Sequence, residues 1–393
     1  MSLMKLVCAV GALLACGTSF AQEKIEIDII YLGRQEQPLQ PLSLLDTKIE
    51  DNGIPGSLLG LKDTQTTGSF LGQLYNLEQV IVDEAADLVA TYRDLVARGN
   101  KLFIADLNAQ DIQSIADIEN DVLIFSIRAR DDSLRNQFCA SNVFHFQPSR
   151  AMLADALAQY LAWKRWTRLV LVTGRHAGDK VYAAALKRAA KRFGLKIIEE
   201  KNWTAVPGAR RTDSGHHSLQ QEIPTFTRFK DYDVLLVADE ADEFGEYLPY
   251  RTAQARPVAG THGLQPSAWH RSQEQWGATQ IQRRFAKLAG RWMTERDYAA
   301  WAAMRTFGEA VTNTGSKEPR ILRKFILSDR FKLAGFKGVA LTFRDWNGQL
   351  RQPVLVVGPR MLVSVSPQKG FLHERSELDT LGFDKPESAC QGF

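Results

Sequence analysis

Cysteine is scarce in this chain, with four among 393 residues, and no Cys or His spacing matches a zinc site. A serine hydrolase would want a Gly-x-Ser-x-Gly elbow, and none is present. Gly174-Arg175-His176-Ala177-Gly178-Asp179 lacks the Gly-Lys-Ser/Thr of a P-loop, which excludes that mode of nucleotide binding. No internal repeat at solenoid periods is found. The formal net charge is +4 at pH 7, or +3 once Lys5 is removed (4 − 1), too weak and too dispersed for a nucleic-acid footprint. The apolar run near the start, Leu6 to Ala15, is about ten residues long and too short to span a bilayer.

What is there begins with that run. Lys5 is the only charge before Glu23, and Ser19-Phe20-Ala21 is a small-x-small cleavage site before Gln22, so residues 1–21 read as an export signal. Leu13-Leu14-Ala15-Cys16 also resembles a lipoprotein cleavage box, in which Cys16 would become the acylated first residue. Both readings place the body of the protein outside the cytoplasm. A mature chain from Gln22 keeps only Cys139 and Cys390, a candidate disulfide in an oxidising compartment, with two separate reduced thiols as the alternative. The composition is 45% apolar and 24% charged, that of a globular protein, and 393 residues exceed what one core usually serves, so two lobes are expected.

The mature chain alternates strand and helix signals. Ile25 to Leu32 is β-rich and ends at Gly33; Leu77 to Val82 precedes a helix with Ala85, Leu88, Val89, Tyr92, Leu95 and Val96 on one face. Asp83 is its expected cap and Gly99 its expected end. A strand at Lys101 to Ala105, a helix through about Ile115 and a strand at Val122 to Ile127 complete βαβ units, hence a parallel sheet. The rhythm restarts with Ser149 capping a helix, then a strand at Arg168 to Thr173, a helix capped by Asp179, and strands at 195–201, 234–238 and 257–260. A breaker-rich stretch, 207–217, reads as a surface loop, and Thr294 with Asp297 can box the start of a later helix.

The order of parts carries a resemblance. The crossover near Phe146-Gln147-Pro148-Ser149, the helix ending Tyr160-Leu161-Ala162-Trp163-Lys164-Arg165-Trp166, the strand Leu169-Val170-Leu171-Val172 and the Gly178-Asp179 turn resemble the branched-chain amino-acid-binding type of periplasmic solute receptor. So do Phe331-Lys332-Leu333-Ala334-Gly335-Phe336-Lys337-Gly338 and Asn347-Gly348-Gln349-Leu350-Arg351-Gln352-Pro353-Val354. The resemblance implies an α/β, two-lobed type I periplasmic binding protein fold, each lobe a mostly parallel sheet flanked by helices, with three interlobe crossovers near 145–150, 258–266 and 344–352. Lobe 1 would comprise 22–147 and 261–346, and lobe 2 would comprise 148–260 and 347–393. It further implies a monomeric, periplasmic, non-enzymatic component of an ABC importer with a small-molecule ligand, an inner-membrane permease as partner, and no cofactor or nucleic acid. The tail Phe371-Leu372-His373-Glu374-Arg375-Ser376-Glu377-Leu378-Asp379-Thr380-Leu381-Gly382-Phe383 resembles a narrower branch associated with PQQ-dependent alcohol dehydrogenase systems. A metal-binding or sensor protein on the same fold, or an exported enzyme, is the alternative.

Ligands of open parallel sheets sit beyond the carboxyl ends of the strands. The residues that follow each strand nominate Asn108, Arg128, Arg130, Arg175, His176, Asp239, Glu240 and His262 for ligand binding. Receptors of the resembled type grip an α-carboxylate with hydroxyls where this chain has Asn108-Ala109-Gln110 and Arg128-Ala129-Arg130, and Ala177, Glu240 and His262 also depart from the pattern. Arginine pairs bidentately with carboxylate or phosphate, which points to an anionic ligand; the alternative is that the arginines pair with carboxylates of the cleft. Asp239-Glu240-Ala241-Asp242-Glu243 has oxygen ligands suited to a hard cation, or is a solvated turn at a helix start, and no metal site is assigned. The pair His216-His217 reads as exposed loop, and Trp163, Trp166, Trp292 and Trp301, on helical patterns, as core.

Overall fold

The computed structural model describes residues 24–36, 49–204, 221–390 and 393. The export signal with Cys16 and the loop bearing His216 and His217 lie outside them. The chain runs β1 (Ile25–Arg34), α1 (Ile54–Gly68), β2 (Gln73–Val82), α2 (Leu88–Ala97), β3 (Leu102–Asp106), α3 (Ala109–Ala116), β4 (Leu123–Ser126) and β5 (Val143–His145). These strands pair in parallel in the order β2-β1-β3-β4-β5. Next come α4 (Arg150–Trp163), β6 (Arg168–Thr173), α5 (Ala177–Arg192), β7 (Lys196–Asn202), β8 (Val234–Ala238) and β9 (Val258–Gly260). They form a second parallel sheet, β7-β6-β8-β9. Strands β3, β4 and β8 are buried throughout, as parallel strands covered by helices on both faces must be.

The chain then returns through β10 (Gln265–Ser267), α6 (Ala278–Ala289), α7 (Glu295–Thr314), α8 (Pro319–Ile326), β11 (Leu333–Ala334), β12 (Ala340–Phe343), β13 (Leu350–Arg351), β14 (Val354–Gly358) and β15 (Met361–Ser366). These strands make two small antiparallel sheets, β10-β14-β15 and β11-β12-β13. Phe146 packs in one core and Met152 in the other; Leu264 and Trp269, then Leu350 and Val354, mark two further passages between the same cores. Three crossings therefore join two lobes, as expected.

Local chemistry sets the element ends. Ser149 accepts the Met152 N–H at 3.3 Å, and Thr294 and Asp297 accept each other's N–H groups at 3.1 and 2.9 Å. Two expected caps shift. Residue 87, not Asp83, caps α2: the Asp87 carboxylate takes the Ala90 N–H at 3.0 Å, while the Asp83 carbonyl closes a turn onto Ala86. Asp179 lies one turn inside α5 and reaches back to the His176 N–H at 2.9 Å.

Helix α1 carries no apolar stripe to announce it. Its buried face is Pro55, Gly56, Ser57, Leu59, Gly60, Thr64 and Gly68, and it lies against α7. A Cβ on Gly60 would stand 2.8 Å from Met304 Cβ and 2.9 Å from the Trp301 carbonyl, so glycine is what lets the helices touch. Of the tryptophans expected in the core, Trp301 is buried, whereas Trp163 and Trp292 are 56% and 59% exposed. Trp163 lies at the open end of α4, where Lys164 covers its ring.

The crossings are stitched together by buried amides. The Gln349 amide donates to the His145 and Gln147 carbonyls and accepts from Arg135, and the Gln352 amide donates to the Phe146 carbonyl at 2.7 Å. Lys337, buried over the Tyr298 ring, donates to Gln352 Oε1 at 2.6 Å and to the Pro353 carbonyl at 3.1 Å. Burial pushes its pKa down to about 7 from 10.5. Between those two values the unfolded chain holds more protons than the folded one, so this group makes stability rise with pH across that window. The stability of wild type minus that of Lys337→Met is expected to climb by at most about 1.4 kcal/mol per pH unit from pH 7 to 10. Urea titrations of both proteins read this slope, and parallel lines would remove the buried-cation account.

Candidate functional site

Both parallel sheets end in loops that face one another across a cleft of about 570 Å³. Six of the eight residues expected from the sequence line it: Asn108, Arg128 and Arg130 from the first lobe, Asp239 and Glu240 from the second, and His262 from the second crossing. Arg175 and His176 are not among its lining. They turn instead to Glu243, at 2.7 and 3.0 Å, and Arg175 borders a separate surface pocket between α5 and β7.

The arginines are paired. Arg130 holds Glu295 at the first turn of α7, and Glu295 also accepts the Ser267 hydroxyl at 2.9 Å and the Ala268 N–H at 2.5 Å. Burial alone would raise the Glu295 carboxyl, but Arg130 and these donors hold it below the usual range. This cluster fixes the second crossing to the first lobe. Arg150, at the start of α4, grips Glu240 with its Nε at 2.9 Å and reaches Asp131 at 3.0 Å. Arg128 pairs with Glu36, which also takes Arg296 at 3.0 Å. Burial, followed by the neighbouring Arg296, pushes Arg128 down to about 10.

On the opposite wall Asp239 accepts the N–H groups of Glu243, Phe244 and Gly245 at 3.0, 2.8 and 2.7 Å. His262 bridges Asp242 at 2.9 Å and Thr261 at 3.0 Å. Asp239, Asp242 and His262 bring one ligand atom each within 4.8 Å of one another. The Asp239 oxygens already serve the backbone turn, and Glu240 and Glu243 of the same acidic run serve arginines.

The lining holds four arginines against six carboxylates, so the cleft is polar with its arginines outnumbered, rather than an open anion sink. Glu36, Arg150, Tyr182, Glu295 and Arg296 also line it without having been nominated. Thr294 and Ser149 signalled helix N-termini, where Glu295, Arg296 and Arg150 sit; Glu36 had no such signal. Asn108 both borders the cleft and caps α3, accepting the Asp111 N–H at 2.8 Å.

Two parallel-sheet lobes, three crossings and a cleft between the carboxyl ends of the sheets define the type I periplasmic binding protein fold. A sequence model of the family described as periplasmic binding protein matches residues 58–209. Among similar solved structures is a branched-chain amino acid ABC transporter periplasmic ligand-binding protein from Burkholderia xenovorans, 14% identical, covering 85% of this chain and 90% of its own, with a TM-score of 0.65. A leucine-, isoleucine-, valine-, threonine- and alanine-binding protein from Brucella ovis in a closed conformation is 13% identical, covering 86% and 90%, with a TM-score of 0.63. The branched-chain amino acid transporter substrate binding protein of Streptococcus pneumoniae, in complex with isoleucine, is 12% identical, covering 87% and 99%, with a TM-score of 0.62. No curated protein sequence matches the chain. Among the described residues no helix is long and apolar enough to cross a membrane.

Proposed function

We propose that this protein is the periplasmic solute-binding component of an ABC importer, taking a small polar organic solute into the interlobe cleft and presenting it to an inner-membrane permease. The observation that carries this reading is the position of the cleft, at the carboxyl ends of both sheets and lined by side chains of both lobes. The lobes would be 22–147 with 261–346 and 148–260 with 347–393, moving about the amide-stitched crossings. Closure follows from differential affinity: a solute touching both walls favours the state in which both are near. The work is binding, as a monomer, without covalent chemistry. The resemblance of the 371–383 tail supports a link to PQQ-dependent alcohol oxidation as pathway context.

A thermal-shift panel of amino acids, aliphatic and aromatic carboxylates, alcohols, PQQ, calcium and a lanthanide tests the reading. A solute at a hundred times its Kd is expected to stabilise the folded state by about 2.7 kcal/mol. Small-angle scattering should show the particle contracting with that solute, and binding without contraction would remove the hinge from the account.

A further inference from the structure

We propose that Arg128 and Arg296 form a carboxylate-binding site of the cleft, and that Glu36 occupies it as an internal competitor which a carboxylate-bearing solute displaces. The inference rests on the solute-receptor reading and names the chemistry of its ligand.

The other arginines of the cleft are committed. Arg130 is bound to a glutamate that two further donors hold in place, and Arg150 divides itself between Glu240 and Asp131. To bind either, a solute would have to undo the second crossing or the start of α4. The Arg128–Arg296 pair is different. Its side chains are only 15% and 23% exposed, yet the carboxylate between them comes from Glu36, which lies just beyond the end of β1 and is 41% exposed. Glu36 therefore loses little hydration on binding and loses little on leaving.

Apart from Glu36, the carboxylate among the described residues that reaches this pair is Asp106, 3.5 Å from Arg296 Nε, and its carboxyl is pushed up by burial. Without Glu36, two neighbouring guanidiniums would face the cleft with one weak counter-charge. An external carboxylate restores the balance, and Arg presents the planar donor fork such a group fits. The exchange is one carboxylate for another, so the net charge of the wall is unchanged when the solute arrives. A resident competitor lowers apparent affinity in proportion to the fraction of molecules in which the site is free.

The test uses paired probes: acetate, benzoate, succinate and leucine, each beside its primary amide, titrated calorimetrically into wild type, Glu36→Gln and Arg296→Gln. Glu36→Gln is expected to tighten binding of the favoured acid by about three- to tenfold, leaving its amide unchanged. Arg296→Gln is expected to erase the preference for acid over amide, with melting of the unliganded variant checked against wild type so that misfolding is seen. An acid whose affinity is the same in Glu36→Gln and wild type, or an amide bound as tightly as its acid, overturns the site and leaves the receptor reading standing. No heat from any probe with any of the three proteins counts against both.

Discussion

Replacing Asp379 by alanine is expected to destabilise the folded protein by about 3–5 kcal/mol. Its carboxylate is fully buried and takes Arg344 Nε at 2.9 Å and Arg351 Nε at 2.9 Å. Arg344 is only 2% exposed, and its remaining hydrogen bonds go to the neutral carbonyls of Leu378, Leu381 and Phe383, with the Trp346 ring beneath it. Removing Asp379 would leave a buried guanidinium with no counter-charge, the costly half of a broken ion pair. Urea unfolding of Asp379→Ala should show a lower midpoint with an unchanged slope. The double variant Arg344→Met/Asp379→Leu should recover part of the loss, because the fully buried charge goes with its partner, while Arg351, 12% exposed, loses its carboxylate nearer to water. A loss below about 1 kcal/mol in the single variant would show that water reaches Arg344 when its partner goes. The network lies where the third crossing meets the tail, so its integrity bears on the hinge as well as on stability.

The parts of the fold legible in the sequence were those in which one local signal suffices. Val234-Leu235-Leu236-Val237-Ala238 is a central parallel strand from its composition alone, and it is β8 to the residue. Thr294 and Asp297 are a capping box in the sequence and in the structure. Helix α1 escaped because its buried face is mostly glycine, serine and threonine, with Leu59 and Pro55 among them, and suits close approach to α7 rather than apolar area. The cap of α2 shifted because Asp83, Glu84 and Asp87 all stand near its start and only packing selects which one turns back, whereas α5 begins two residues ahead of Asp179, which reaches back to the His176 N–H.

The candidate site divides along the same line. In a parallel sheet, whatever follows a strand points to the same edge, so Asn108, Arg128, Arg130, Asp239, Glu240 and His262 could be picked out without seeing the cleft. Glu36, Glu295 and Arg296 come together through packing between segments some 260 positions apart, as in the Arg296–Glu36 pair, and no spacing rule reaches that far. Arg175 follows a strand like the others but meets Glu243 first, and an exposed ion pair turns it outward. Position after a strand predicts the neighbourhood of a side chain. Its partner depends on which carboxylate the tertiary fold brings nearest.

Breaking the Cys139–Cys390 link is the second large effect expected. The two cysteines are disulfide-bonded in the structure, with Cα atoms 5.6 Å apart and a sequence separation of 251. The tail that ends at Cys390 is fixed to the second lobe first: Thr380 accepts from Gln159 at 2.9 Å, the Gly382 N–H reaches Asp155 at 2.8 Å, and Arg188 and Arg192 flank that same buried carboxylate. It then passes to the first lobe, where Ala389 donates to Asn136 Oδ1 at 3.0 Å and Phe393 stacks edge-on against Phe144. Cys390 therefore closes a strap across both lobes. Its first-lobe anchor stands beside the hinge, because the Arg135 carbonyl next to it also receives the Asn347 amide of the third crossing at 3.1 Å. A strap fixed near the axis changes length little as the lobes swing, so it can stabilise without resisting closure. Cys139→Ala/Cys390→Ala is expected to lose about 3–5 kcal/mol, the range for a bond closing so long a loop. Solute affinity should stay within about twofold, which is under 0.5 kcal/mol. Limited proteolysis should then remove the tail from the variant while sparing wild type. A variant that keeps wild-type stability and a protected tail would show that the salt bridges around Asp155 hold the strap unaided; a large loss of affinity would show that the strap sets the lobe angle.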